Sequence, residues 1–94
     1  RTFGFVSQLE HLHKNNLAKG ASLNNTVVVI DNGIANPEGL RYKDEFVKHK
    51  LLDAIGDFYV GGPIIGHFNC YKSGHILNNR LLRELYKNKN NWKY

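Results

Sequence analysis

The apolar positions change period several times along the chain. Thr2 to Phe5 has the composition of a short strand, after which Phe5, Val6, Leu9 and Leu12 recur at helical spacing. This predicts a helix over about residues 6 to 15, stopped by Asn15-Asn16 and Gly20. Thr26-Val-Val-Val-Ile30 is a β-branched run between Asn24-Asn25 and Asp31-Asn-Gly33, the composition of a buried strand. Asn36-Pro37 and Gly39 mark a turn, and Leu40 to Tyr42 is expected to pair as a brief extended piece. Asp44 suits the N-cap of the longest helix, running to about Tyr59, in which Val47, Leu51, Ile55 and Phe58 form an apolar stripe expected to face the core. Gly61-Gly-Pro63 ends that helix, Ile64 to Tyr71 reads as a further strand, and Ser73-Gly74 turns the chain into a last helix. Leu77, Leu81 and Leu85, with Leu82 alongside, are expected on its buried side. No repeat or linker interrupts the pattern, which predicts one α+β layer structure of about three helices and three or four strands.

Composition narrows the class of protein. The 94 residues, 41% hydrophobic and 22% charged, suffice for one modest core. No stretch approaches the roughly 18 to 20 apolar residues of a membrane span, and the first residues lack a signal-peptide pattern. Methionine is absent, so a fragment or trimmed chain is expected. The single cysteine, Cys70, excludes an intramolecular disulfide and a Cys-rich zinc knuckle, fits a reducing cytoplasm, and is expected to act as a small buried hydrophobe. The net charge of +5, with Tyr71, Trp92 and Tyr94 near lysines, makes a small basic nucleic-acid-binding module the alternative function. Against it, no nucleic-acid-binding motif occurs, and Lys87, Lys89 and Lys93 of an Asn-rich tail, expected to be frayed and solvated, supply three of the thirteen cations. Genomic base composition and selection for charge each account for so many Lys and Asn residues.

Several side chains could carry chemistry. His49 and Asp53 stand at i and i+4, which stacks them on one helix face adjoining the apolar stripe, where they are either a metal-ligand pair or a solvated charge pair. Asp57 continues that side, positioned to orient a neighbouring group or to meet water. His75 falls at a strand-to-helix junction, where helix N–H groups disfavour a protonated imidazole; a cationic His75 needs a carboxylate, and Asp57 is the candidate. His11 and His13 point to different faces and read as surface residues, and His67 reads as a structural histidine within a strand. Gly61-Gly-Pro-Ile-Ile-Gly66 lacks the ending of a phosphate-binding loop and reads as a turn.

Taken together, Arg1-Thr-Phe-Gly-Phe5, Gly39-Leu-Arg41, Asp44-Glu-Phe-Val-Lys-His-Lys-Leu-Leu-Asp-Ala-Ile-Gly-Asp57 and Tyr71-Lys-Ser-Gly-His-Ile-Leu-Asn-Asn79 resemble the second half of the zinc-dependent UDP-3-O-acyl-N-acetylglucosamine deacetylases of lipid A biosynthesis, over nearly the whole chain to about Leu85. The resemblance implies a two-layer α+β helix/sheet sandwich forming most of the second domain of a two-domain enzyme, without the N-terminal domain. Within it, residues 1–30 would include a βαβ insert, 44–60 the metal-ligand helix, 75–87 the last helix and 88–94 a basic tail. The metal, zinc or ferrous iron, would be held by His49, Asp53 and a third ligand from the N-terminal half. That half would also provide the glutamate general base, and no segment here matches it.

By the same resemblance His75 is the general acid, Asp57 its supporting carboxylate, Thr2 a donor to the developing oxyanion, Lys50 a lysine on the substrate and metal side, and Lys72 a contact to the substrate diphosphate. Phe3, Phe5, Leu9, Ala18, Ser22 and Val28 would wall a passage for the fatty acyl chain, positions that spacing alone assigns to the core. The implied reaction is hydrolysis of the acetamido group of UDP-3-O-acyl-N-acetylglucosamine by a cytoplasmic enzyme with at most peripheral membrane contact. The isolated chain, lacking the base and one ligand, is expected to be inactive and to need the missing N-terminal half as its partner.

Overall fold

The β-branched run becomes the middle strand of a three-stranded sheet in a computed structural model that describes residues 1–94. In chain order the elements are β1 (Thr2–Phe5), α1 (Val6–Lys14), β2 (Thr26–Ile30), β3 (Gly33–Ile34), α2 (Glu45–Tyr59), α3 (His75–Lys87) and a 3-10 turn over Lys89–Asn91. The architecture is α+β, as the patterning predicts. Two compact units divide the chain, Arg1–His49 and Lys50–Tyr94, with α2 belonging to both. No helix is long and apolar enough to cross a membrane.

In the first unit β1 pairs parallel to β2, Thr2 opposite Thr26 and Phe5 opposite Val29, so β1-α1-β2 is a βαβ unit. Thr26, Val27 and Val28 are buried. β2 then turns back antiparallel into β3, pairing Ile30 with Gly33 across the two residues Asp31 and Asn32. Sequence reading treated Asp31-Asn-Gly33 only as the end of a strand and missed this hairpin, although short polar residues followed by glycine are hairpin chemistry. Gly33 has φ 144°, a conformation that side chains disfavour. Asn36, buried and also unanticipated, continues the sheet with its side chain. Its Oδ1 accepts from the Val28 N–H at 2.9 Å while its Nδ2 donates to the carbonyls of Thr26 and Leu23 at 2.8 and 3.0 Å.

The expected extended piece at Leu40 to Tyr42 does not form a strand. The Arg41 N–H donates instead to Glu45 Oε2 at 2.9 Å. Glu45 is itself clamped by Arg1, whose Nε and Nη2 reach its two oxygens at 2.8 and 3.1 Å, a two-pronged pair with both side chains almost fully covered. Arg1 also donates to Glu38 at 2.6 Å and to the Gly39 carbonyl at 3.0 Å. β1 is thereby tied to the first turn of α2, where a carboxylate is also favoured by the helix dipole. The Phe3 ring adds an edge-on contact to Phe46 at 4.8 Å between centroids. Asp44 precedes α2 as expected, its carbonyl accepting from the Lys48 N–H at 3.0 Å.

The second unit builds its core from Ala54, Phe58 and Leu82, with Ile64 packed against it. The helical period of α2 is as predicted, but its phase is not. Val47, Leu51 and Ile55 are 62%, 60% and 59% exposed, and the better-covered side is Phe46, His49, Asp53, Ala54, Asp57 and Phe58. α3 matches in part: Leu82 is buried and Leu85 half-buried as expected, but Asn78 is buried with them while Leu77 and Leu81 stay exposed. Ile64 to Tyr71 is not a strand, because residues 50–94 contain no strand to give it a ladder; it packs irregularly, Phe68 stacking on Phe58 at 4.6 Å. Cys70 is accordingly exposed rather than buried, and His67 is exposed and outside any strand. The tail is solvated as expected, only Trp92 being half-buried, but it makes specific contacts. Asn91 Nδ2 donates to the Glu84 carbonyl at 2.9 Å, and the Trp92 ring lies edge-on to Tyr86.

Candidate active site

The start of α3 sets the geometry. Gly74 is its N-cap, extended at φ −167°, and its carbonyl accepts the first helical bond from the Asn78 N–H at 2.9 Å. His75 is therefore the first helical residue, with its side chain at the carboxylates of α2. Its Nδ1 lies 2.6 Å from Asp57 Oδ2, and its Nε2 lies 3.9 Å from Asp53 Oδ2. Asp53 and Asp57, one helical turn apart, thus meet the two nitrogens of one ring. The His75 side chain remains 65% exposed, so the ring is both oriented and accessible.

The electrostatics follow from these contacts. The Asp57 carboxyl is held below its ordinary value first by the hydrogen bond from Asn78 Nδ2, 2.9 Å away, and then by His75. The imidazole of His75 is raised above its ordinary value, chiefly by the hydrogen bond to Asp57. Asp57, which spacing alone left between a functional and a solvated reading, meets His75 directly. Asn78 is the member of this group that sequence reading passed over. The available signal was its place one turn before Leu82, a polar residue on the face that carries the core leucine.

The remaining predicted residues are distributed as follows. Lys50 Nζ donates to the Ser73 carbonyl at 3.1 Å, joining α2 to the segment that leads into α3. Lys72 adopts φ 48° with its ammonium 5.5 Å from the Tyr71 ring centre. His49 is half-buried on α2, one turn before Asp53, with its ring 6.1 Å from that of Phe3. Thr2 is exposed at the start of β1. Phe5 is exposed, Phe3, Leu9 and Ala18 are half-buried, Ser22 is exposed, and Val28 is buried within β2, where it serves the sheet's own packing. His11 and His13 are exposed, as expected.

No group of three His, Cys, Asp or Glu side chains is disposed to hold a metal ion. His49 and Asp53 are an imidazole and a carboxylate, donor types that zinc takes, and catalytic zinc sites ordinarily use three protein ligands. Beside the same helix, Leu51, Ala54, Ile55, Phe58, Ile64 and Phe68 line an open apolar groove of about 380 Å³.

A solvent-accessible imidazole backed by a buried-side carboxylate is the acid–base arrangement that hydrolases use to move a proton. Comparison with known proteins supplies the family. Residues 1–87 match the UDP-3-O-acyl N-acetylglycosamine deacetylase family, and the chain belongs to it. It is 67% identical over 94 residues to the UDP-3-O-acyl-N-acetylglucosamine deacetylase of Francisella tularensis subsp. tularensis (strain SCHU S4 / Schu 4), a match covering all of this chain and 33% of that protein. It is 60% identical over 93 residues to the protein of the same name from Psychrobacter sp. (strain PRwf-1), covering 98% of this chain and 31% of the relative. With that of Psychrobacter cryohalolentis the identity is 55%, covering 29% of the relative. The chain spans about a third of the length of these relatives.

Proposed function

We propose that this chain supplies the proton-donating part of a zinc-dependent amidohydrolase that removes acetate from UDP-3-O-acyl-N-acetylglucosamine in lipid A biosynthesis. The observation that carries the reading is the 2.6 Å contact of His75 with Asp57 in a chain belonging to this family. The Nδ1–H of the protonated ring donates a hydrogen bond to Asp57, which leaves Nε2–H as the group that hands its proton to the departing amine as the C–N bond breaks. Acetate and a free amine result. Thr2 donates to the oxyanion that develops on the acetamido carbonyl. His49 and Asp53 hold the metal, zinc or ferrous iron, with a third ligand from the rest of the polypeptide. When bound, that metal supplies Lewis-acid activation of water and polarisation of the carbonyl.

Lys50 stabilises the substrate and metal side, and Lys72 contacts the diphosphate as a point charge. Phe3, Phe5, Leu9, Ala18, Ser22 and Val28 border the acyl passage. The enzyme works in the cytoplasm and touches the membrane at most peripherally.

The same reading accounts for the exposed apolar face of α2. Leu51 and Ile55, with the groove they help to line, form a seat for the remaining two thirds or so of the relatives' polypeptide, whose length lies outside this chain. The 94 residues alone lack a general base and a third ligand and therefore do not turn over substrate. His75→Ala in the full-length enzyme tests the assignment: loss of turnover with metal content retained is expected, and near-normal turnover by the folded variant contradicts it.

A further inference from the structure

One buried polar side chain has no part in the mechanism above. Asn78 is 3% exposed, one helical turn after His75 and one before the core residue Leu82. A leucine at this position would extend the apolar side of α3, whereas a buried amide lowers stability unless its hydrogen bonds are made. Its Nδ2 donates to Asp57 Oδ2 at 2.9 Å, the same oxygen that His75 Nδ1 approaches at 2.6 Å. Both donors come from one helix at i and i+3, so their spacing is fixed by the backbone, and the single acceptor comes from α2. Held by His75 alone, the Asp57 carboxylate could pivot part-way about its Cβ–Cγ bond and carry the ring with it. Held also by a buried amide, it cannot pivot part-way without stretching that amide's hydrogen bond.

We propose that Asn78 is a positioning residue for the general acid: by pinning Asp57 Oδ2 it holds the His75 imidazolium with Nδ1–H on Asp57 and so fixes the direction in which Nε2–H is presented to the leaving nitrogen. The proposal rests on the reading of His75 as the acid. It follows that Asn78 acts on the reaction only through His75.

The test uses the full-length enzyme carrying this chain, with Asn78→Leu, which removes the amide but suits an apolar environment, and Asn78→Ala as the second variant should the leucine disturb folding. Each is made alone and in a His75→Ala background. Loss of the pin should lower kcat about 10- to 100-fold, the scale of a misplaced catalytic group, with KM changed less than about twofold and the melting temperature unchanged or raised. In the His75→Ala background the same substitution should lower kcat no further, because residues acting as one unit are non-additive. A merely structural asparagine predicts the same fractional loss in both backgrounds, and that result overturns the proposal. Normal kcat in a folded Asn78→Leu or Asn78→Ala enzyme, alongside a large loss for His75→Ala, overturns the positioning role and leaves the acid assignment standing. Near-normal turnover of His75→Ala removes the acid assignment and this proposal with it.

Discussion

His75 Nδ1 stands 2.6 Å from Asp57 Oδ2, a contact between the first residue of α3 and a carboxylate two helical turns beyond His49 on α2. It raises the imidazole above its ordinary value, and after the hydrogen bond from Asn78 it is the next cause holding the Asp57 carboxyl below its own. A general acid must be protonated to act, so on the proposed role of His75 the raised imidazole should extend the full-length enzyme's activity towards higher pH.

In the full-length enzyme, His75→Ala should therefore slow turnover by about 10² to 10⁴-fold, the range for removing a general acid, with zinc content unchanged on the proposed assignment of His75 as acid and not ligand. Asp57→Asn removes the charge that favours the imidazolium, so the ring loses its proton sooner and the alkaline limb of the pH–rate profile should move to lower pH. Metal analysis and pH–rate profiles of the two variants check both. A His75→Ala enzyme that has lost its zinc would show that the residue is a ligand.

Glu45 gives a second pH dependence. The hydrogen bond from Arg1 is the largest cause holding its carboxyl down, from 4.5 to about 2. A carboxyl depressed on folding contributes stability that is present above its unfolded value and lost as pH falls through the folded one. Glu45→Gln should thus be destabilised at neutral pH, and its deficit relative to the unaltered protein should shrink as pH falls from about 4.5 towards about 2. Thermal melts across that range decide it; a deficit independent of pH would show that the pair contributes nothing electrostatic.

Gly61 and Gly56 predict opposite outcomes for the same substitution. A Cβ at Gly61 would lie 2.9 Å from Tyr86 Cε2 and 3.0 Å from Leu82 Cδ2, whereas at Gly56, inside α2, it would meet nothing within 4 Å. Gly61→Ala should cost about 1 to 3 kcal/mol through overpacking, and Gly56→Ala should add about 0.5 to 1 kcal/mol through helix propensity. Denaturant unfolding of the 94-residue chain measures both. Equal effects would contradict the close packing of α3 on Gly61.

Much of this was legible in the residues, and the failures share a cause. β1, α1, β2, α2 and α3 all appear where period and punctuation place them, because each is specified by local spacing or β-branching. The phase of α2 and α3 was legible only in part, at Phe58, Leu82 and Leu85. A stripe of Val47, Leu51 and Ile55 reads as inward-facing only if all of its partners lie on the same chain, and here the stripe faces outward. The Ile64 to Tyr71 segment failed similarly, since β-prone composition forms a strand only where a neighbour offers a ladder. Asn36, Asn78 and the Arg1 to Glu45 pair were missed because polar residues carry no periodic signal when their partners are distant in sequence. Within the candidate site, the Asp57 and His75 pairing was suggested by helix electrostatics, while the ligand roles of His49 and Asp53 come from resemblance.

The outward stripe is itself testable. Leu51→Lys combined with Ile55→Lys should leave the 94-residue chain folded and more soluble, because both residues are largely exposed on it. In the full-length enzyme the same pair should abolish turnover by preventing the rest of the polypeptide from packing. Circular dichroism, solubility and activity assays compare the two settings. Unchanged activity in the full-length double variant would show that this face is not covered.

The central claim is that these residues are the proton-donating third of a deacetylase. It is tested most directly by exchanging this chain for the matching 94 residues of the Francisella tularensis enzyme, to which it is 67% identical, and measuring acetate release from UDP-3-O-acyl-N-acetylglucosamine. The chimera should deacetylate in a zinc-dependent manner and lose that activity with His75→Ala, while the 94-residue chain alone releases no acetate. A folded, zinc-loaded chimera without deacetylase activity, or turnover by the chain alone, would contradict the account.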